Sequence, residues 1–285
     1  MRNHRKHWPA LFAILVLAAI LPLTTSDGWI VSARVQDQQA STPLQLAIEK
    51  QRQRLSSSEI EERRDALTQL RAMQRPEASR VALSALNDPV PIVRATAVAA
   101  VLWLSADESA ASLVPLLSDK DEFVRQQTAY ALGQTPSRSA INALIERLAD
   151  KQDSVRGAAA VSLGEIADAT AVTALAALLN PQGLTPTKKS KKSGREQNAF
   201  VLRAAARSLG QIGSRAGLPA LISVMQDEKA ADDVRREAAD ALGRIGDPSA
   251  IPALQIAETA ADPYLAATAH EALRKISRLP ARRGI

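Results

Sequence analysis

Arg63, Arg94, Arg125 and Arg156 are each 31 positions apart. The last three follow a valine, as Val93-Arg94, Val124-Arg125 and Val155-Arg156, and the pair returns as Val234-Arg235. An Ala-rich stretch follows each. A fixed period of this size constrains the fold more than composition does, because it marks a stacked array of one small unit. Each unit is too small to bury a core alone, so the array buries its core between neighbours.

The second half of each unit carries one apolar stripe. Val124, Thr128 and Leu132 mark it in one copy; Val155, Ala159, Leu163 and Ile166 mark it in the next. The same frame gives Val234, Ala238, Leu242 and Ile245, then Leu265, Ala269, Leu273 and Ile276. These offsets lie on one face of a 3.6-residue helix. First helices are expected near 78–86, 110–117, 139–148, 171–179, 218–225 and 250–256, each with apolar residues at helical spacing. A more polar pair over 44–73 precedes them as a capping unit, with Ser57 or Ser58 as an N-cap. Gly246-Asp247-Pro248 supplies a helix-ending Gly, an N-cap and a Pro at the first helical position. The expectation is an all-α fold, an α-α superhelix of about seven helix pairs over 44–278.

The fifth unit breaks the frame. Leu132, Leu163, Leu209, Leu242 and Leu273 are separated by 31, 46, 33 and 31 residues. The surplus lies in a segment rich in Pro, Gly, Ser and Lys, read as a disordered basic insertion at 181–198. It holds Lys188, Lys189, Lys191, Lys192 and Arg195. A solvated, self-repelling loop explains that cluster; an acidic partner or anionic lipid headgroups are the functional alternative. No aromatic side chain sits among these charges to stack a base.

At the N-terminus, Arg2, Arg5 and Lys6 precede an apolar run at 10–23, and Val31-Ser32-Ala33 offers small residues for cleavage. This describes a secretory signal over 1–33, with an uncleaved membrane anchor as the alternative. The run is short for a membrane span, which needs about 20 residues. A linker follows at 34–43. The chain is therefore expected to be exported, periplasmic or secreted, or held at the inner membrane by this segment. Net charge is +6, but it is unevenly placed. Three bases stand at the N-terminus, five in the insertion, and five at the C-terminus (Arg274, Lys275, Arg278, Arg282 and Arg283), the last two in a basic tail at 279–285. Setting those and Asp27 aside from 36 basic and 30 acidic residues leaves 23 against 29. A mildly acidic body argues against nucleic acid as a partner.

The repeat resembles the HEAT repeat, in the short form known as the phycobilisome-lyase HEAT-like repeat. The matching stretches are DKDEFVRQQTAYALGQ, DKQDSVRGAAAVSLGEI and DDVRREAADALGRIGDPSAIPAL. The resemblance covers roughly 44–278 and implies a right-handed superhelix with second helices lining the concave face. It also implies an Asp–Arg ladder joining adjacent repeats. Asp88 and Arg94, Asp119 and Arg125, and Asp150 and Arg156 stand six apart, as that pattern requires. Leu202 and Ala266 replace the arginine in repeats five and seven, so the ladder is expected across repeats two to four alone. Fold resemblance says little of function.

Chemistry is sparse. Histidine occurs only at 4, 7 and 270, and cysteine is absent. No Ser-His-Asp set, thiolate site or HExxH motif can be assembled. His270-Glu271 is similar to the iron-binding pairs of deoxyhypusine hydroxylase, a HEAT-like family that uses several such pairs; a single pair reads as helix surface. Resemblance to phycobilin lyases extends only to the repeat, with no chromophore-handling residue to carry over; HEAT-like DNA glycosylases share the fold, but export and an acidic body argue against DNA repair. No cofactor is expected. Gly133, Gly164, Gly210 and Gly243 recur once per repeat, and packing explains them.

Five and nine positions past the ladder arginine, side chains should face the concave surface. They are Ala99 and Trp103, Tyr130 and Gln134, Val161 and Glu165, Arg207 and Gln211, Asp240 and Arg244, and Glu271 and Lys275. The column begins apolar and aromatic and becomes charged. Trp and Tyr are common anchors of protein interfaces; the alternative for Trp103 is that it fills space beside Ala99 and Ala100. The expected function is a non-enzymatic scaffold that binds a protein or peptide. A HEAT-like enzyme, enzyme subunit or envelope adaptor is the alternative.

Overall fold

The computed structural model describes residues 42–179 and 198–278. The signal or anchor reading, the C-terminal tail, the basic cluster at 188–195 and most of the linker and insertion lie outside these residues. All described residues belong to one compact unit, which begins at Ser41.

Fourteen α-helices follow one another as seven pairs among the described residues, with no strand. The pairs are α1 (Pro43–Arg54) and α2 (Ile60–Ala72), α3 (Pro76–Ala82) and α4 (Pro91–Ala100), and α5 (Ala106–Leu113) and α6 (Glu122–Gln134). Then come α7 (Ile141–Arg147) and α8 (Asp153–Ile166), α9 (Val172–Leu179) and α10 (Ala199–Ile212), α11 (Leu218–Gln226) and α12 (Asp232–Ile245), and α13 (Ile251–Ala257) and α14 (Pro263–Arg278). Even-numbered helices stack on one another in order, and odd-numbered helices form a second layer behind them. This is the two-layered α-α superhelix expected from the period. Short 3-10 turns extend the first helices: Leu83–Asn87 and Val114–Ser118 follow α3 and α5, while Arg138–Ala140, Ala169–Ala171, Arg215–Gly217 and Pro248–Ala250 precede α7, α9, α11 and α13.

The ends have local causes. Thr42 and Gln45 form a reciprocal capping box, with Pro43 at the first helical position, so α1 starts inside the segment read as linker. Asn198, inside the segment read as insertion, caps α10. Neither Ser57 nor Ser58 caps α2. Its N-cap is Glu59, and the Ser57 hydroxyl instead accepts from the Glu59 amide at 3.1 Å and donates to Glu62 at 2.6 Å. Gly213 and Gly246 end α10 and α12 at φ 70° and 71°, the left-handed conformation that glycine adopts without Cβ strain.

The core is the stripe. Val124, Leu132, Val155, Leu163, Val234, Leu242 and Leu265 are buried, as is Thr128, whose hydroxyl returns to the Val124 carbonyl at 2.7 Å. Leu202, at a ladder-arginine position, packs against the core with Phe200. The Phe200 ring lies over Gly157, where a Cβ would come within 2.0 Å of it. An apolar contact thus joins repeats four and five.

The ion-pair ladder is built differently from the sequence expectation. Each arginine reaches forward 25 residues rather than back six. Arg63 clamps Asp88 at 2.7 and 3.1 Å, Arg94 clamps Asp119 at 2.8 and 2.7 Å, and Arg125 clamps Asp150 at 2.9 and 3.0 Å. The residue six positions back contributes its backbone carbonyl: Arg94 donates to Asp88 O at 2.8 Å and Arg125 to Asp119 O at 2.9 Å. Each aspartate also accepts an amide two residues on, from Val90, Asp121 and Gln152. One carboxylate therefore folds its own turn and receives the previous repeat's guanidinium, a bidentate charge-assisted contact. Arg63 is a full rung, which corrects the expectation that the ladder is confined to repeats two to four. Arg156 is not a rung among the described residues; it bonds Asp150 O and turns to Asp153 on its own helix. A displaced rung appears later, where Arg236 clamps Asp262, the N-terminal partner of α14, at 2.7 and 3.1 Å.

Candidate functional site

The even-numbered helices present the candidate surface, and a glycine column shapes it. Gly133, Gly164, Gly210 and Gly243 each stand eight positions past the ladder position, where the next even helix comes closest. A Cβ there would lie 2.9 Å from Ser162 Cα, 2.7 Å from Ser208 Cβ, 2.8 Å from Ala241 Cα and 2.8 Å from Ala272 Cα respectively. Small residues on both sides let α6, α8, α10, α12 and α14 pack closely. In the first two repeats the same position holds Arg71 and Leu102. There α2, α4 and α6 touch less extensively.

A groove of about 560 Å³ opens at that place, lined by Thr68, Arg71, Ala72, Gln74, Ala99, Leu102, Trp103, Gln134 and Thr135. Trp103 is 42% exposed. Three of the residues that the sequence frame placed on the face, Ala99, Trp103 and Gln134, meet here. Arg71 is exposed and has no ion-pair or hydrogen-bond partner among the described residues. Gln74 holds a left-handed φ of 53° at the position that Ala167, at 55°, Gly213 and Gly246 occupy in later repeats. Tyr130 and Val161 are half-buried and pack against the core, outside this lining.

The C-terminal half of the face is charged and internally neutralised. Arg203 donates to Asp233 at 2.6 Å, and Arg207 clamps Glu237 at 3.1 and 2.9 Å. Hydrogen bonding to Glu237 raises the Arg207 pKa further. Asp240 sits between Arg244 at 2.6 Å and Lys275 at 2.9 Å, and Glu165 accepts from Gln211 at 3.3 Å. A shallower groove of about 650 Å³ is lined by Arg203, Asp233, Arg236, Glu237, Asp240, Tyr264, Ala267, Thr268 and Glu271. The Arg236 guanidinium lies 4.9 Å from the Tyr264 ring centre, a cation–π contact. His270 is a surface residue bonded to Glu258 at 2.8 Å, while Glu271 pairs with Arg274.

The frame did not include Arg71, Leu102, Gln74, Arg203 and Tyr264, which line the two grooves. The signal that could have found the groove is the interrupted glycine column, which is visible in the sequence.

A family model described as HEAT repeats matches residues 48–133, 111–183 and 195–274. No curated protein matches the chain. Among solved structures, the chain is similar to an X-ray structure of YibA of Escherichia coli, at 20% identity and a TM-score of 0.57 over 82% of each chain. It is also similar to the complex of CpcE and CpcF of phycocyanin lyase from Nostoc sp., at 25% identity and TM-score 0.49 over 70% of this chain and 76% of that one. A third is human deoxyhypusine hydroxylase in complex with glycerol, at 18% identity and TM-score 0.36 over 82% and 97%. With a family model spanning most of its length and helix pairs that stack as that repeat requires, the chain belongs to the HEAT-repeat family.

Proposed function

We propose that this HEAT-repeat chain is a non-enzymatic scaffold that binds a protein or peptide on the face of its even-numbered helices. The observation that carries this reading is the groove around Trp103, a large apolar side chain left exposed where the repeat's close packing is interrupted. Exposed aromatic side chains in concave, partly apolar surroundings are typical anchors for protein partners. The charged half of the face supplies paired side chains that suit the polar rim of such an interface. The basic cluster of residues 188–195 adds electrostatic attraction for an acidic partner or an anionic lipid surface. The basic and then apolar N-terminal sequence supports an exported chain, cleaved or anchored.

Two measurements test these parts. Elemental analysis of the purified full-length chain should find no stoichiometric metal; bound iron or zinc at one equivalent would replace the scaffold with a metalloenzyme. Cell fractionation with N-terminal sequencing should find the chain in the envelope or outside the cell. A cytoplasmic chain starting at Met1 would remove export from the account.

A further inference from the structure

The two grooves differ in one chemical respect. Every charged side chain lining the C-terminal groove is engaged: Arg203 with Asp233, Arg236 with Asp262, Glu237 with Arg207, Asp240 with Lys275, and Glu271 with Arg274. In the N-terminal groove the one charged lining residue is Arg71, with no partner among the described residues, and no carboxylate lines the groove. Arg75, one position beyond Gln74, is exposed and likewise unpaired among the described residues. The floor is apolar, from Ala72, Ala99, Leu102 and Trp103, and the two amides of Gln74 and Gln134 stand beside it. An unpaired guanidinium beside an apolar floor complements a carboxylate next to an apolar group.

Gln74 adds a second observation. Its left-handed φ is shared by Ala167 at the same position of repeat four, and glycine stands there in repeats five and six. At this shared helix end Gln74 offers the groove an amide side chain where Ala167 and the two glycines offer none.

We propose that the groove between α2, α4 and α6 takes an extended peptide segment of a partner protein that carries an acidic side chain beside a large apolar one. The carboxylate pairs with Arg71, the apolar side chain lies on Trp103 and Leu102, and the Gln74 and Gln134 amides bond the peptide backbone. The inference rests on the scaffold reading and narrows it to one groove and one ligand chemistry.

The test uses the full-length chain with Trp8→Phe and Trp29→Phe, which leaves Trp103 as the single tryptophan. A displayed library of random 12-residue peptides is selected against it, and enriched peptides are synthesised and titrated by Trp103 fluorescence. Enriched sequences should place Asp or Glu next to Leu, Ile, Phe or Met. Arg71→Gln should weaken their binding about tenfold, the loss of one charge-assisted contact. Trp103→Leu, followed by calorimetry, should weaken it at least about tenfold. Gln74→Gly should raise the thermal midpoint while weakening the peptide, which a purely structural residue would not do. Selection of basic or charge-free peptides, or affinities unmoved by Arg71→Gln and Trp103→Leu, overturns the proposal. If binding instead falls with Arg203→Ala or Tyr264→Ala, the scaffold reading stands and this groove assignment fails. If no peptide is enriched, the proposal also fails, and the scaffold reading is then judged by cross-linking in cells.

Discussion

Arg125→Ala should be among the most damaging single substitutions on the ladder. The Arg125 and Asp150 side chains are 5% and 6% exposed, the most buried pair of the ladder. The guanidinium makes four hydrogen bonds: two to the Asp150 carboxylate and two to the carbonyls of Asp119 and Lys120, at 2.9 and 3.2 Å. Alanine leaves the carboxylate with only the Gln152 amide and strands both carbonyls. Leaving a buried acceptor unmade costs about 1–3 kcal/mol, and removing one partner of a buried ion pair costs about 3–5 kcal/mol. Water reaching the rim of the cut interface favours the region where these ranges meet, about 3 kcal/mol. The control is Arg80→Ala, whose pair with Glu108 is 56% and 35% exposed; exposed pairs contribute roughly 0–1 kcal/mol. Urea titration followed by far-ultraviolet circular dichroism gives both losses. The transition must be checked for a single step, because repeat arrays can unfold in parts. A loss from Arg125→Ala no larger than that from Arg80→Ala would refute the forward-reaching ladder.

The same titration checks three further substitutions and conditions. Arg63→Ala should destabilise more than Arg80→Ala, since it strands Asp88, whereas Arg156→Ala should cost less than Arg125→Ala because Asp153 is 41% exposed and strands little. Gly243→Val should cost about 1–3 kcal/mol by forcing a side chain against Ala272 on α14; a neutral result would mean that the even helices can slide apart. Burial opposes ionisation of Asp119 and Asp150, but hydrogen bonds from Arg94 and Arg125 and from backbone amides outweigh it and hold both below the usual aspartate value of 3.8. Their contribution is therefore complete above that value and is lost as pH falls through the lower folded-state values. The stability gap between the native chain and Arg125→Ala should shrink in urea titrations carried below pH 3.8, and an unchanged gap would show that Asp150 is not the partner.

The array, its stripe and its glycine column were legible because each follows from period and residue size alone. The ladder was not. In a 31-residue period, a carboxylate six positions before an arginine implies another 25 positions after it. Sequence spacing cannot choose between the two, and only the guanidinium's direction does. Arg63 fell outside the expected ladder for that reason: a serine, not a carboxylate, stands six positions before it, and its partner Asp88 lies downstream. The Arg236–Asp262 rung escaped because both members leave the frame. Trp103 and Gln134 could be placed on the face from the frame, but the groove between them depends on Arg71 and Leu102 breaking a rule followed by later repeats. Arg203 and Tyr264 lie one and two turns before Arg207 and Glu271, the positions five past the frame, so a single column could not reach them.

The central claim is that partners sit on the even-numbered helices. Photo-cross-linking in the native cells tests it most directly, with benzoylphenylalanine at Gln134 and Asp240 on that face and at Asn142 and Gln255 on exposed odd-helix surface. A discrete adduct of one defined mass from Gln134 or Asp240, absent from Asn142 and Gln255, is the predicted result. Adducts from Asn142 or Gln255 alone, or from none of the four, would contradict the account.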